Sequence, residues 1–196
     1  IIPIQKCVDE MEQTLKSCFL GHSPNVAEEN IQARIRGDIL MALSNKFGWM
    51  VLSTGNKTEL ALGYCTLYGD MSGGLSVISD LSKTDVYALS HWINSKYSRR
   101  IPKGSLEKPP SAELAPEQVD PFDYDIVSPL VDLIIEEGKT IIQLGELGID
   151  KELVNSVYKK IRKSEYKRRQ AAPGLRVSTK AFGIGRRFPI VNHFKN

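Results

Sequence analysis

Cysteine is scarce in this chain of 196 residues: Cys7, Cys18 and Cys65 are the full set, and no two of them stand in CxxC spacing. An odd, scattered set excludes a disulfide framework and argues for reduced thiols in a cytoplasmic setting. Histidine is as rare, with three residues, and no His/Cys pattern has the spacing of a metal site. Long apolar runs are missing too. No stretch of 18 apolar residues occurs, so a membrane role finds no support. A Walker A loop and a dinucleotide GxGxxG fingerprint are also absent. Charge of one sign does not dominate: 26 Lys+Arg against 23 Asp+Glu leave a formal +3. What is there, 41% apolar and 25% charged residues, suits one globular domain with a sizeable core.

The chain is organised around Val51-Leu52-Ser53-Thr54-Gly55-Asn56-Lys57-Thr58-Glu59, which runs on through a helical stretch to Tyr68-Gly69-Asp70. Trp49 to Ser53 has the pattern of a strand buried on both faces. Thr54, Gly55 and Asn56 then offer a hydroxyl, bare backbone and an amide where strand turns into helix. Unpaired N–H groups and a partial positive charge at such a helix start favour an anion. Glu59, a turn inside, stands at the depth of a carboxylate that holds a metal beside a phosphate. The plain alternative is that Asn56 caps the helix and Glu59 is a solvated first-turn acid.

Ile1-Ile2-Pro3-Ile4 reads as a strand already buried, with no polar lead-in, so the chain is expected to be an excerpt from something longer. Val8, Met11, Leu15 and Phe19 recur at helical spacing. A longer helix follows between Pro24 and Lys46, with Ile31, Ile35, Ile39, Leu40, Leu43 and Phe47 as its buried stripe and Gly48 as its stop. Asn30 and Arg34 share another face, suited to a nucleotide or a carboxylate, or else an exposed flank. Leu75 to Ile78 reads as a second strand. Ser82-Lys83-Thr84-Asp85 makes a capping box, with Lys83 opposing the helix dipole unless an anion sits there. Prolines 102, 109, 110, 116, 121 and 129 deny regular structure to 98–128, which is read as a lid rather than a linker. Within it, Ser111 caps a turn or touches a ligand. Ser128-Pro129, Thr140 and Asp150 each open a helix by cap chemistry.

From Lys159 to Arg187 eleven basic residues face Glu165 alone. That is the footprint of a polyanion site, or of a solvated basic helix with a tail over 170–196. Aromatic interleaving is thin and no nucleic-acid motif is present, so nucleic acid is not the expected partner. Ser72-Gly73-Gly74-Leu75-Ser76 imitates a pyrophosphate-gripping SGGxDS loop but lacks the Asp and a preceding strand. It is read as a turn.

Several of these stretches stand together in a known order. Glu29-Asn30-Ile31-Gln32-Ala33-Arg34-Ile35-Arg36, Ser53-Thr54-Gly55-Asn56-Lys57-Thr58-Glu59, Leu67-Tyr68-Gly69-Asp70, Lys83-Thr84, Lys108-Pro109-Pro110-Ser111-Ala112-Glu113-Leu114, Glu165-Tyr166-Lys167-Arg168-Arg169-Gln170 and Arg187-Phe188-Pro189-Ile190 closely resemble the synthetase domain of glutamine-dependent NAD synthetases. The likeness runs over residues 1–196. It implies an α/β fold of the adenine nucleotide alpha hydrolase-like, N-type ATP pyrophosphatase kind: a parallel sheet flanked by helices, truncated here at its N-terminus. It implies a carbon–nitrogen ligase that activates deamido-NAD with ATP as an acyl-adenylate and lets ammonia displace AMP. Carried over motif by motif, Thr54, Lys83 and Ser111 would touch ATP. Glu59 would hold Mg²⁺ or lie against deamido-NAD and, with Lys83, serve catalysis. Asn30, Arg34, Asp70, Lys167 and Arg168 would grip deamido-NAD. A cytoplasmic homodimer or larger homo-oligomer is implied.

The departures are as informative. This family's SGGxDS loop and its first strand are not in the chain, nor is the glutamine-cleaving domain whose cysteine releases ammonia. The chain by itself is therefore expected to be inactive, with a sheet edge left open to aggregation. GMP synthetase, a sister ATP pyrophosphatase, is the alternative that would share the adenylation step.

Overall fold

Caps decide where the helices begin. In the computed structural model, which describes residues 1–98, 100–183 and 185–191, Asn25, Asn56, Ser82 and Thr140 each close a reciprocal capping box with the acid or amide three residues on. They open α2 (Val26–Phe47), α3 (Lys57–Leu62), α4 (Lys83–Tyr97) and α7 (Ile141–Glu146). Each box satisfies two backbone donors that the helix itself cannot pair. Asp150 caps α8 (Lys151–Lys163) on Leu153 N, and Gly48 ends α2 in the left-handed conformation at φ 68°. The remaining helices are α1 (Gln5–Leu15), α5 (Lys103–Glu107), α6 (Tyr124–Ile135) and α9 (Glu165–Arg168).

Two short parallel strands, β1 (Leu52–Ser53) and β2 (Leu75–Ser76), pair Leu52 with Leu75 and Ser53 with Ser76. The 72–76 turn serves this pairing, as read from the sequence. Gly73 adopts φ 153°, and a Cβ there would sit 3.0 Å from both Ser53 N and Val51 O, so the backbones pass too closely for a side chain. The main core packs Ala61 and Leu62 of α3 against Val127, Leu130, Val131, Ile134 and Ile135 of α6, with Leu144 of α7 and Val154, Val157 and Ile161 of α8. A smaller cluster joins Val8 of α1 to Ile31 and Ile35 of α2.

Four sequence expectations are corrected here. Ile1 to Ile4 form no strand, and Ile1 and Ile2 are exposed. β1 is shorter than the apolar run 49–53 and is not buried on both faces. Trp49, Met50 and Leu52 are 62%, 67% and 52% exposed, because β1 has one strand partner among the described residues. The stripe on α2 also splits. Ile31 and Ile35 turn to α1, Ala33 and Gly37 are buried instead on a neighbouring face, and Leu40 and Phe47 stay exposed. One helix with two different neighbours needs two narrow faces rather than one broad one. Finally, Pro129 does not open a helix. Asp123 caps α6 on Asp125 N, and Pro129 lies inside it, beside a fully buried Ser128 whose hydroxyl meets Thr58 Oγ1 at 3.0 Å. No helix among the described residues is long and apolar enough to cross a membrane.

Candidate functional site

A cavity of about 690 Å³ opens where β1 runs into α3. Its walls are the Asn30–Ala33–Gly37 face of α2, the β1–α3 turn, residues 63–72, the start of α4, the 111–120 stretch and Lys167 of α9. That volume lies within the range of small-molecule sites. The wall of α2 stands unusually close to the 66–72 loop: a Cβ on Gly37 would lie 2.9 Å from Ser72 Oγ and 3.1 Å from Gly69 O and Tyr68 O.

At the β1–α3 turn Asn56 caps α3, as the plainer sequence reading has it, while Glu59 is not a solvated acid but a partly buried one that lines the cavity. Asn56 Oδ1 accepts from Glu59 N (3.0 Å), and Glu59 Oε2 accepts from Asn56 N (3.1 Å). The other carboxylate oxygen, Oε1, accepts from Lys83 Nζ at 3.1 Å, so the acid caps its helix and faces the cavity. The start of α3 offers fewer free amides than expected, since Lys57 N donates to Leu81 O at 2.8 Å. Lys83 escapes the unfavourable helix dipole through Glu59 and through the Tyr124 ring, 5.2 Å from its ammonium. The Lys83 amide donates to Thr58 Oγ1 at 3.2 Å, which ties α4 to α3 and sets that ammonium over the cavity.

Among the other expected residues, Thr54 and Ser111 both line the cavity, and the Ser111 hydroxyl also accepts from Glu113 N at 3.0 Å. Asn30 lines the wall, its Oδ1 taking the Thr66 hydroxyl at 2.7 Å, and its amide N–H groups have no partner among the described residues. Asp70 lines it too and accepts from Thr66 N. Lys167 Nζ donates to Gly63 O (2.8 Å) and Cys65 O (2.7 Å), which commits two of its three protons.

Two residues are placed elsewhere. Arg34 is exposed outside the cavity lining, with Nε on Leu67 O at 3.2 Å, and Arg36 lines the cavity instead. Arg168 lies buried under the core. Its five N–H donors go to Glu165 Oε2 (3.2 and 3.1 Å), Leu60 O (3.0 Å), Ala61 O (3.1 Å) and Ile161 O, so none remains for a ligand. The rings of Phe182 and Phe188 cover it, at 4.5 and 5.8 Å. The basic zone is thus no continuous clamp. Arg176 folds onto Ser178 O and Thr179 O, Lys160 lies over Phe122, and Lys167 alone of the eleven lines the cavity.

Sequence reading did not single out Glu29, Tyr64, Cys65 and Asp120, which also line the cavity. Nothing in their local pattern marks them, since they come from three separate segments. Burial, then the charge of Asp120, pushes the Tyr64 phenol up to about 12. Burial likewise raises the Cys65 thiol to about 12 against the pull of Lys167, so it is a neutral thiol at pH 7 and a poor nucleophile. The 98–128 stretch carries α5 and docks on α2 through Gln32 Nε2 to Leu114 O (3.1 Å) and Gln118 Nε2 to Glu29 Oε2 (3.4 Å).

One carboxylate, Glu59, stands beside the Lys83 ammonium, and no cluster of three metal-ligating side chains occurs among the described residues. That donor set fits Mg²⁺ held jointly with phosphate oxygens, and does not fit an all-protein cage.

Comparison with known proteins follows the same line. The family model described as NAD synthase matches residues 1–171. The glutamine-dependent NAD(+) synthetase of Thermotoga maritima is 51% identical over 199 residues, which is all of this chain and 34% of the relative. Among solved structures, the Acinetobacter baumannii glutamine-dependent NAD⁺ synthetase in complex with ADP aligns with a TM-score of 0.54 at 43% identity, over 96% of this chain and 34% of that one. A glutamine-dependent NAD(+) synthetase from Cytophaga hutchinsonii gives a TM-score of 0.77 at 21% identity, over 96% and 33%, a likeness of fold. The chain spans about a third of the length of these proteins.

Proposed function

The chain belongs to the NAD synthase family, with its adenine nucleotide alpha hydrolase fold, and from that premise we propose that it forms the synthetase part of a glutamine-dependent ligase that makes NAD from deamido-NAD. In this reading the nicotinate carboxylate of deamido-NAD attacks the α-phosphorus of ATP and pyrophosphate leaves. Ammonia then attacks the acyl carbon of the adenylate, AMP leaves with the bonding electrons, and the nitrogen loses a proton. The observation that carries the reading is the gathering of Lys83, Glu59, Asn30, Asp70 and Lys167 around one cavity, from five separate segments.

The residues divide the work by charge. Lys83, held between Glu59 and the Tyr124 ring, offsets negative charge that builds on the departing phosphates. Thr54 and Ser111, which both line the cavity, bind ATP. Asn30 through its amide N–H groups and Lys167 through its third proton, neither paired among the described residues, orient deamido-NAD, and Asp70 receives a hydroxyl. Arg34 approaches only by its outer N–H groups, and Arg168 takes no ligand. Mg²⁺, where Glu59 holds it with the phosphates, supplies further charge neutralisation.

The chain carries no SGGxDS loop to cradle pyrophosphate, so residues 1–196 alone are expected to give no turnover. The test is NAD formation from ATP, deamido-NAD and ammonium, followed with AMP release. The polypeptide extended to the length of its relatives should make NAD and AMP one for one, and Lys83→Met should lower kcat by about 10² or more. Extended protein that makes no NAD, or residues 1–196 that make it unaided, would sink the corresponding half of the reading.

A further inference from the structure

Three consecutive residues at the start of α3 hold the start of α4. Lys57 N donates to Leu81 O at 2.8 Å, Thr58 Oγ1 accepts from Lys83 N at 3.2 Å, and Glu59 Oε1 accepts from Lys83 Nζ at 3.1 Å. The middle contact is the unusual one. A first-turn amide has no acceptor within its own helix and is ordinarily left to water or to a cap. In α4 the cap acts further on, since Ser82 Oγ accepts from Asp85 N at 3.2 Å, and the Lys83 amide is served from a neighbouring helix instead. Thr58 is fully buried, and its hydroxyl also shares a proton with the buried Ser128 Oγ at 3.0 Å. Ser128 stands one helical turn after Tyr124 on α6, and the Tyr124 ring lies 5.2 Å from the Lys83 ammonium. One buried hydroxyl thus ties the root of Lys83 to both groups that hold its tip.

We propose that Thr58 is a positioning residue for the ligase reaction, whose hydroxyl fixes where the Lys83 ammonium stands over the cavity. The inference rests on the ligase reading, in which Lys83 offsets charge on the departing phosphates. A lysine carries its charge on a flexible stem, so its aim depends on where its backbone is held. Replacing the hydroxyl with a methyl of similar size leaves a buried amide without an acceptor, and α4 recovers one only by moving its first turn away from α3. That movement carries Nζ out of register with Glu59 and Tyr124. Charge that misses the leaving oxygens slows the chemical step, while groups that bind the substrates elsewhere in the cavity are untouched.

The experiment follows NAD formation in the extended polypeptide for the parent, Thr58→Val, Thr58→Ser, Lys83→Met and the double variant Thr58→Val with Lys83→Met. Thermal midpoints are measured first, so that rates refer to folded protein. Thr58→Val should lower kcat by about tenfold or more, with KM for ATP and deamido-NAD staying within about threefold of the parent. Thr58→Ser, which keeps the hydroxyl, should restore kcat to within about threefold. The double variant should be no slower than Lys83→Met alone, because Thr58 then has nothing left to aim. Losses that multiply in the double variant overturn the proposal, since Thr58 would be acting on the fold rather than through the lysine. An unchanged kcat in Thr58→Val, or no recovery in Thr58→Ser, overturns it as well, and each of these leaves the ligase reading intact. Should Val fail to fold, Thr58→Cys, a weak acceptor of similar size, carries the same comparisons with a smaller loss. An active parent indifferent to Lys83→Met overturns the proposal together with the lysine's part in the reaction, and a parent that forms no NAD overturns the ligase reading itself.

Discussion

Replacing Arg168 with alanine separates a structural role from a ligand role at a position where sequence and structure disagree. The guanidinium is 3% exposed and its partner Glu165 is 2% exposed. Truncation strands that carboxylate and leaves the carbonyls of Leu60, Ala61 and Ile161 without their donor. Two of those carbonyls belong to the last turn of α3, where helix geometry supplies no partner. Breaking a buried ion pair costs about 3–5 kcal/mol. Glu165 keeps one contact, from Arg169 Nε at 2.7 Å, which places the expected loss near the lower bound, about 3 kcal/mol. For a domain of this size that lowers the thermal midpoint by roughly 6–12 °C. The assay is far-UV circular dichroism on heating, with the dissociation constant for deamido-NAD measured well below the transition. Arg168→Lys should recover less than half of the loss, since one ammonium with three protons cannot serve four acceptors. A midpoint within about 2 °C of the parent, set beside a tenfold weaker deamido-NAD affinity, would refute the reasoning and return Arg168 to the ligand set.

Two further perturbations test the frame around the cavity. Lys57 is 1% exposed, with Nζ 2.6 Å from Asp132 Oδ1 and 2.5 Å from Glu136 Oε1, so Lys57→Met should cost about 3 kcal/mol in urea unfolding. Burial lowers the Lys57 pKa, but the two carboxylates outweigh it and the net shift is upward. Its contribution is therefore complete below the unfolded value of about 10.4 and disappears as pH rises through the higher folded one. The gap between parent and variant should close above that pH, and a gap that widens there would contradict the sign. Gly37→Ala drives a methyl against Ser72 Oγ and the carbonyls of Tyr68 and Gly69. It should cost about 1–3 kcal/mol and weaken deamido-NAD binding, whereas a neutral Ala variant in calorimetry would show that α2 does not pack so tightly on the loop.

Much of the candidate site was legible because its chemistry is local. A capping box such as Ser82–Asp85 or Asn56–Glu59 is written in four consecutive residues, and it sets where Lys83 and Glu59 stand along their helices. Asp120 and Tyr64 were not legible, because each matters only through a neighbour from another segment. Arg168 and Lys167 are adjacent in sequence and equal in charge. One rotation along α9 sends Lys167 to the cavity rim and Arg168 beneath α3. The two apolar faces of α2 failed as a single stripe for a similar reason: periodicity reports that a face is buried, not how many partners bury it.

By itself the sequence determined the helix starts at Asn56, Ser82, Thr140 and Asp150, the turn at Gly73, the family and the residue types available for nucleotide chemistry, since each rests on contacts within a few residues or on ordered motifs. Only the tertiary structure decided which of the basic residues reach the cavity and which apolar side chains of β1 and α2 face outward. Burial and hydrogen-bond saturation are properties of packed neighbours from distant segments, and no window of sequence contains them.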